Sequence, residues 1–174
     1  MFHNKKKTEQ SFDESSLPPL WKMIKKNIEA SEKIIELGCG TGQFAKYLHT
    51  NGYNYCLGVD FSMRAIEIAK KTNISLNFIC ENAFHFLKIS PPFDTIIITN
   101  VLEVVTYDID LIAKIPIGKK IILSVPCFDS PTHLRYFETP QQALSRYGQY
   151  FKSTNTETYK HGKQQWLLIT SIKK

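Results

Sequence analysis

Glu36 is the first side chain placed to do chemistry. It sits near the end of an apolar run, Lys33-Ile34-Ile35-Glu36-Leu37, and three glycines follow at alternate positions, Gly38, Gly40 and Gly42. With Phe44-Ala45-Lys46-Tyr47-Leu48 behind them, the pattern reads as strand, tight turn and helix. Glycines at such a turn admit φ > 0 and let a ligand approach the backbone closely. The following helix points unpaired N–H groups and its positive dipole end back at the turn. The turn is therefore a seat for a polar ligand at the carboxyl end of a buried strand. An acid directly before it suits an amine-bearing ligand better than a pyrophosphate.

A second carboxylate, Asp60, ends the apolar run Tyr55-Cys56-Leu57-Gly58-Val59. It lies about 20 residues past the glycines, the distance at which a carboxylate reaches the two hydroxyls of a ribose. Phe61 follows, then Ser62 as a helix N-cap for a helix over residues 63–71. This arrangement serves any adenosine-bearing cofactor. A dinucleotide fingerprint needs G-x-G-x-x-G. Here the spacing is G-x-G-x-G, with Gln43 in place of the third glycine, so a nicotinamide-dependent oxidoreductase is disfavoured.

Glu36-x-Gly38-x-Gly40-x-Gly42 resembles the first motif of the class I S-adenosylmethionine-dependent methyltransferases, of the small type-11/12-like kind, and Asp60-x-Ser62 resembles their second. The resemblance runs from residue 30 or so to the C-terminus. It implies an α/β, Rossmann-like doubly wound mixed sheet of about seven strands with helices on both faces and an antiparallel C-terminal hairpin. It also implies S-adenosyl-L-methionine as cofactor, held by Glu36, Gly38, Cys39, Gly40, Gly42, Asp60, Phe61, Met63, Asn82, Ala83, Asn100 and Val101. Two departures stand out. Glu81-Asn82-Ala83 replaces the family's frequent Gly-Asp-Ala, whose acid takes the adenine amino group; Asn82 either takes that role through its carbonyl oxygen or caps a helix. Val104 stands where a histidine is frequent after the fourth strand, and Glu103 beside it is a dipole-compensating acid or a group near the acceptor. Ser90-Pro91-Pro92-Phe93 looks like the box of amino-directed nucleic-acid methyltransferases, but it precedes the fourth strand and reads as a loop.

The elements that position these residues follow from periodicity. Behind Leu17-Pro18-Pro19-Leu20, the residues Trp21, Ile24 and Ile28 recur at helix spacing, so Trp21 is either core or a lid touching substrate. Further strands are expected over residues 75–80, 93–100 and 119–125, a short helix over 140–148, and two paired strands over 150–160 and 165–172. The segment 126–137 leaves the carboxyl end of the fifth strand, where open α/β sheets bind substrate. It supplies His133 as a candidate base, and Arg135 and Tyr136 as substrate contacts. Arg135 either pairs a carboxylate or phosphate or ties its own loop down. Cys127 lacks the surrounding motifs of a thiolate mechanism.

The chain has 174 residues, enough for one domain, read as 17–174 behind a polar arm over 1–16. Net charge is +6, much of it in Lys5, Lys6, Lys7, Lys173 and Lys174. Four scattered cysteines show no metal-ligand spacing and suit a reducing, cytoplasmic setting. No apolar run approaches the roughly 20 residues of a membrane span, and residues 1–7 lack the apolar core of a signal peptide. The reading is a methyltransferase acting on a small-molecule acceptor, with no metal and no membrane partner. RNA, DNA or protein methylation, or non-catalytic binding of the cofactor, are the alternatives.

Overall fold

The computed structural model describes residues 18–54 and 56–174; the expected arm over 1–16 lies outside the described residues. Seven strands form one sheet in the order β3-β2-β1-β4-β5-β7-β6. β1 (Ile34–Leu37), β2 (Cys56–Asp60), β3 (Asn77–Cys80), β4 (Thr95–Ile98) and β5 (Lys120–Pro126) run parallel, and β7 (Gln164–Lys173) pairs antiparallel with both β5 and β6 (Phe151–His161). The expected mixed sheet and C-terminal hairpin are both present.

Strand alternation divides the core into two layers. Ile35 and Leu37 of β1, with Ile96 and Ile98 of β4, pack against α4 (Ala83–Ile89), α5 (Asp108–Lys114) and α6 (Pro140–Tyr147). Ile34, Ile97 and Ile122 face the other way, onto α1 (Pro18–Lys25), α2 (Gln43–Thr50) and α3 (Met63–Thr72). Strands buried on both faces explain the continuous isoleucine runs. Two terminations come from local chemistry. Ser62 caps α3 by accepting from the Ala65 N–H at 3.3 Å, and Thr139 with Gln142 forms a capping box at α6.

Some boundaries differ from expectation. α1 stops at Lys25 rather than near Ile28, because Asn27 N–H turns to Ile24 O at 2.9 Å. β3 begins at Asn77, after a turn in which Leu76 N–H bonds Asn73 O at 3.0 Å. α5 has no counterpart in the sequence reading; seven residues give too few turns for a periodic signal.

Candidate functional site

The chain winds outward from β1 through β2 to β3, then returns to β4 on the other side of β1. Ligands of open α/β sheets bind outside the carboxyl ends of the strands at such a reversal. A cavity of about 170 Å³ lies there, lined by Leu37 and Gly38 after β1, Val59, Asp60 and Phe61 after β2, Glu81, Asn82 and Ala83 after β3, and Asn100, Val101, Val104, Val105 and Tyr107 after β4, with Leu111 behind. Asp60 and Glu81 are the charged side chains of this lining among the described residues.

The Asp60 carboxylate already organises the turn. One oxygen accepts from Gly40 N–H at 2.9 Å and the other from Ser62 N–H at 2.8 Å, joining the glycine turn to the start of α3. Each oxygen keeps a further lone pair for a ligand hydroxyl. Gly38 has φ +77°, and a Cβ there would sit 2.3 Å from Val101 Cγ2. Gly38→Ala is therefore expected to cost about 2 kcal/mol through a left-handed backbone and overpacking together; urea denaturation reads the loss. Gly40 is open, since a Cβ there would meet nothing within 4 Å. Asn100, two residues past the end of β4, also takes a left-handed conformation, φ 55°, and lines the cavity.

Several expected ligand contacts are placed elsewhere. Gly42 is small to accommodate protein: a Cβ would meet the Phe78 ring at 2.5 Å. Cys39 is buried in the layer of α1, α2 and α3, and Met63 is exposed outside the cavity lining. Trp21 is 3% exposed and packs on Phe44 and Tyr47, so it is core and not lid. Alternation along β1 separates Glu36 from its neighbour Leu37. Its carboxyl lies buried among Cys39, Cys56 and Asp60, with Oε2 lacking a protein partner, and outside the cavity lining. Burial, then the charge of Asp60, pushes it up to about 8. Asn82 caps α4, its carbonyl oxygen accepting from Phe84 N–H at 2.9 Å.

The segment after β5 is tied down by its own polar groups. Arg135 donates to the carbonyls of Leu102 and Val105 and lies 3.4 Å from Asp108, so it is not free for a substrate anion. His133 Nδ1 is 3.2 Å from Phe128 O, and the ring packs on Phe128, away from the cavity lining. Tyr136 is exposed beside a separate shallow depression shared with Phe137, Glu138 and Arg146. What the sequence did not reveal is the hub beneath: Asp108, 1% exposed, receives Arg146 through 2.7 and 2.9 Å hydrogen bonds and the Tyr147 hydroxyl at 2.8 Å.

Residues 34–115 match the family model described as a methyltransferase domain. Those residues, just under half of the chain, are similar to methyltransferase domains. The chain's fold is that of a SAM-dependent methyltransferase from Archaeoglobus fulgidus, at TM-score 0.68 and 16% identity over 88% of this chain and 91% of that one. A magnesium protoporphyrin IX methyltransferase from Synechocystis PCC 6803, solved with bound SAM, aligns at TM-score 0.67 and 14% identity over 91% and 78%. In sequence, the chain is 35% identical over 54 residues to ribosomal protein L11 methyltransferase of Thermotoga neapolitana. That stretch is 31% of this chain and spans only 20% of the relative's length. Among the described residues, no helix is long and apolar enough to cross a membrane.

The cavity suits the family's cofactor on this chain's own evidence. It offers the Asp60 carboxylate with spare lone pairs, an open glycine at residue 40 and an apolar wall of Leu37, Val59 and Val101. Oε2 of Glu36, buried without a protein partner, belongs to a carboxyl close to Cys39 of the same turn and to Asp60.

Proposed function

We propose that this chain transfers a methyl group from S-adenosylmethionine to a small-molecule acceptor. The observation that carries the reading is the cavity at the strand reversal, with Asp60 on its wall and the glycine turn at its edge. In this reading Asp60 accepts from the ribose hydroxyls and Phe61 and Ala83 flank the base. Gly38, Asn100 and Val101 shape the channel toward the acceptor. The bound cofactor supplies an activated methyl on a sulfonium. The protein's part is alignment and exclusion of water, and such positioning is worth about 7–11 kcal/mol.

The acceptor side supports a small molecule. Val104 and Tyr107 stand at the cavity mouth, 45% and 39% exposed. Leu134 stands beside Val104, with its N–H on Glu103 O at 2.7 Å, and is itself exposed. An apolar rim with acids inside the cavity, and with Arg135 spent on backbone carbonyls, offers a phosphate backbone no counterion among the described residues of the lining. It suits a neutral or cationic acceptor with apolar surface.

Calorimetry with S-adenosylhomocysteine tests the cofactor half. Asp60→Ala is expected to weaken binding about tenfold or more, from charge-assisted hydrogen bonds worth roughly 1.5–3 kcal/mol; unchanged affinity removes Asp60 from the site. Incubation with methyl-labelled cofactor and a metabolite extract tests the acceptor half. Label is expected in the soluble small-molecule fraction, and label confined to acid-precipitable RNA or protein overturns it.

A further inference from the structure

A second depression, of about 630 Å³, opens beside the Asp108 hub. It is lined by Tyr136, Phe137 and Glu138 after β5 and by Gln142, Ser145 and Arg146 of α6. The last three recur at i, i+3 and i+4, so they share one face of the helix. None of the six lines the cavity at the strand reversal. What binds here is therefore independent of the reading of that cavity.

Arg146 is the group with chemistry to offer. A guanidinium carries five N–H donors in a fixed, planar fork. Nε and Nη2 are spent on the two Asp108 oxygens, at 2.7 and 2.9 Å. Nη1 has no hydrogen-bond partner among the described residues. The inner pair of bonds fixes the plane of the group and leaves its outer edge free. The side chain is 39% exposed, against 16% for Arg135, whose Nη1 is taken by two carbonyls. A guanidinium held in this way loses little freedom on meeting a second carboxylate. The ordering cost that makes most exposed ion pairs weak is thereby reduced.

The rest of the lining is mixed. Tyr136 is exposed, and Phe137 packs on Tyr147 with ring centroids 5.6 Å apart. Both offer apolar surface to the body of a ligand. Glu138 is exposed and forms no ion pair among the described residues. A single negative charge at Arg146 is balanced by the guanidinium, whereas a run of them would meet Glu138. A polyanion such as nucleic acid is therefore disfavoured.

We infer that the depression is a second ligand site, taking the carboxylate of a small organic monoanion on the outer edge of Arg146 and its apolar body against Tyr136 and Phe137.

Amide NMR titrations with benzoate, and with benzamide as its neutral counterpart of the same shape, test the assignment. Benzoate is expected to shift the backbone signals of Tyr136, Ser145 and Arg146 along a saturating curve. Benzamide is expected to bind about fivefold more weakly or not at all, since it cannot form the charge-assisted pair. Arg146→Lys keeps a positive charge toward Asp108 without the second edge, and is expected to lose about fivefold in benzoate affinity. Tyr136→Ala, at an exposed position, is expected to lose about threefold through the missing apolar surface. Circular dichroism melts show whether each variant folds. Should Arg146→Lys not fold, the comparison of the two probes on wild type and on Tyr136→Ala carries the decision. The assignment is overturned by any of three results: no saturation with benzoate, less than about a twofold difference between the probes, or undiminished benzoate binding in a folded Arg146→Lys.

Discussion

Asp108→Ala is expected to lower the unfolding free energy by about 3–5 kcal/mol, the usual cost of removing one partner from a buried charge network. In wild type, burial raises the Asp108 carboxyl. The hydrogen bonds from Arg146 and Tyr147 and the charges of Arg135 and Arg146 outweigh that, and it stays below the ordinary range. Removing it leaves the Tyr147 hydroxyl buried without its acceptor and two guanidiniums without their counter-charge. For a chain of this size the loss is a fall of roughly 10 °C in melting temperature. Urea unfolding should show a lower midpoint at unchanged slope. The damage should also reach the cavity. Tyr107 and Val105 line it, and Arg135 holds the Val105 carbonyl while facing Asp108. Weaker S-adenosylhomocysteine binding at temperatures where the variant is still folded is therefore expected. A variant that melts within 2 °C or so of wild type would show that the hub contributes little, as exposed ion pairs do.

Asp108 also marks where the sequence stops being informative. The strands and the glycine turn announce themselves through local pattern: Ile34-Ile35 and Ile96-Ile97-Ile98 are buried on both faces, and Ser62 sits one residue ahead of an amphipathic helix. The pairing of Asp108 with Arg146 spans 38 residues and leaves no periodic trace. Arg135 illustrates the same difficulty. Its type is right for a substrate anion, and only the arrangement of the Leu102 and Val105 carbonyls commits it to the backbone. Glu36 lies in β1 just ahead of the turn, and the two-residue period of the strand turns it away from the side that Leu37 presents to the cavity. Gly42 shows that a motif glycine can answer to a neighbour, here Phe78, and not to a ligand. Asn82 left two roles open, and the hydrogen bond from Phe84 N–H assigns the capping one.

Glu36 carries the second large effect, and its sign is opposite to that of Asp108. Its folded carboxyl is raised to about 8 from an ordinary 4.5, by burial first and by the charge of Asp60 second. Between those values the unfolded chain has released the proton and the folded chain still holds it. The folded state binds more protons, so stability falls as pH rises. The contribution is fully present below pH 4.5 or so and is lost progressively up to pH 8, at no more than about 1.4 kcal/mol per pH unit. Glu103, raised to about 7 chiefly by burial, adds a smaller loss of the same sign over the lower part of that window. Glu36→Gln removes the larger part. Its own absolute stability depends on how well the amide is accommodated, so the informative quantity is the change with pH. Relative to wild type, the variant is expected to gain on the order of 4 kcal/mol between pH 5 and pH 9. Urea titrations at a series of pH values measure this directly. Parallel curves for the two proteins would mean that Glu36 ionises in the folded state at ordinary pH, and that the orphaned Oε2 already has a compensating partner.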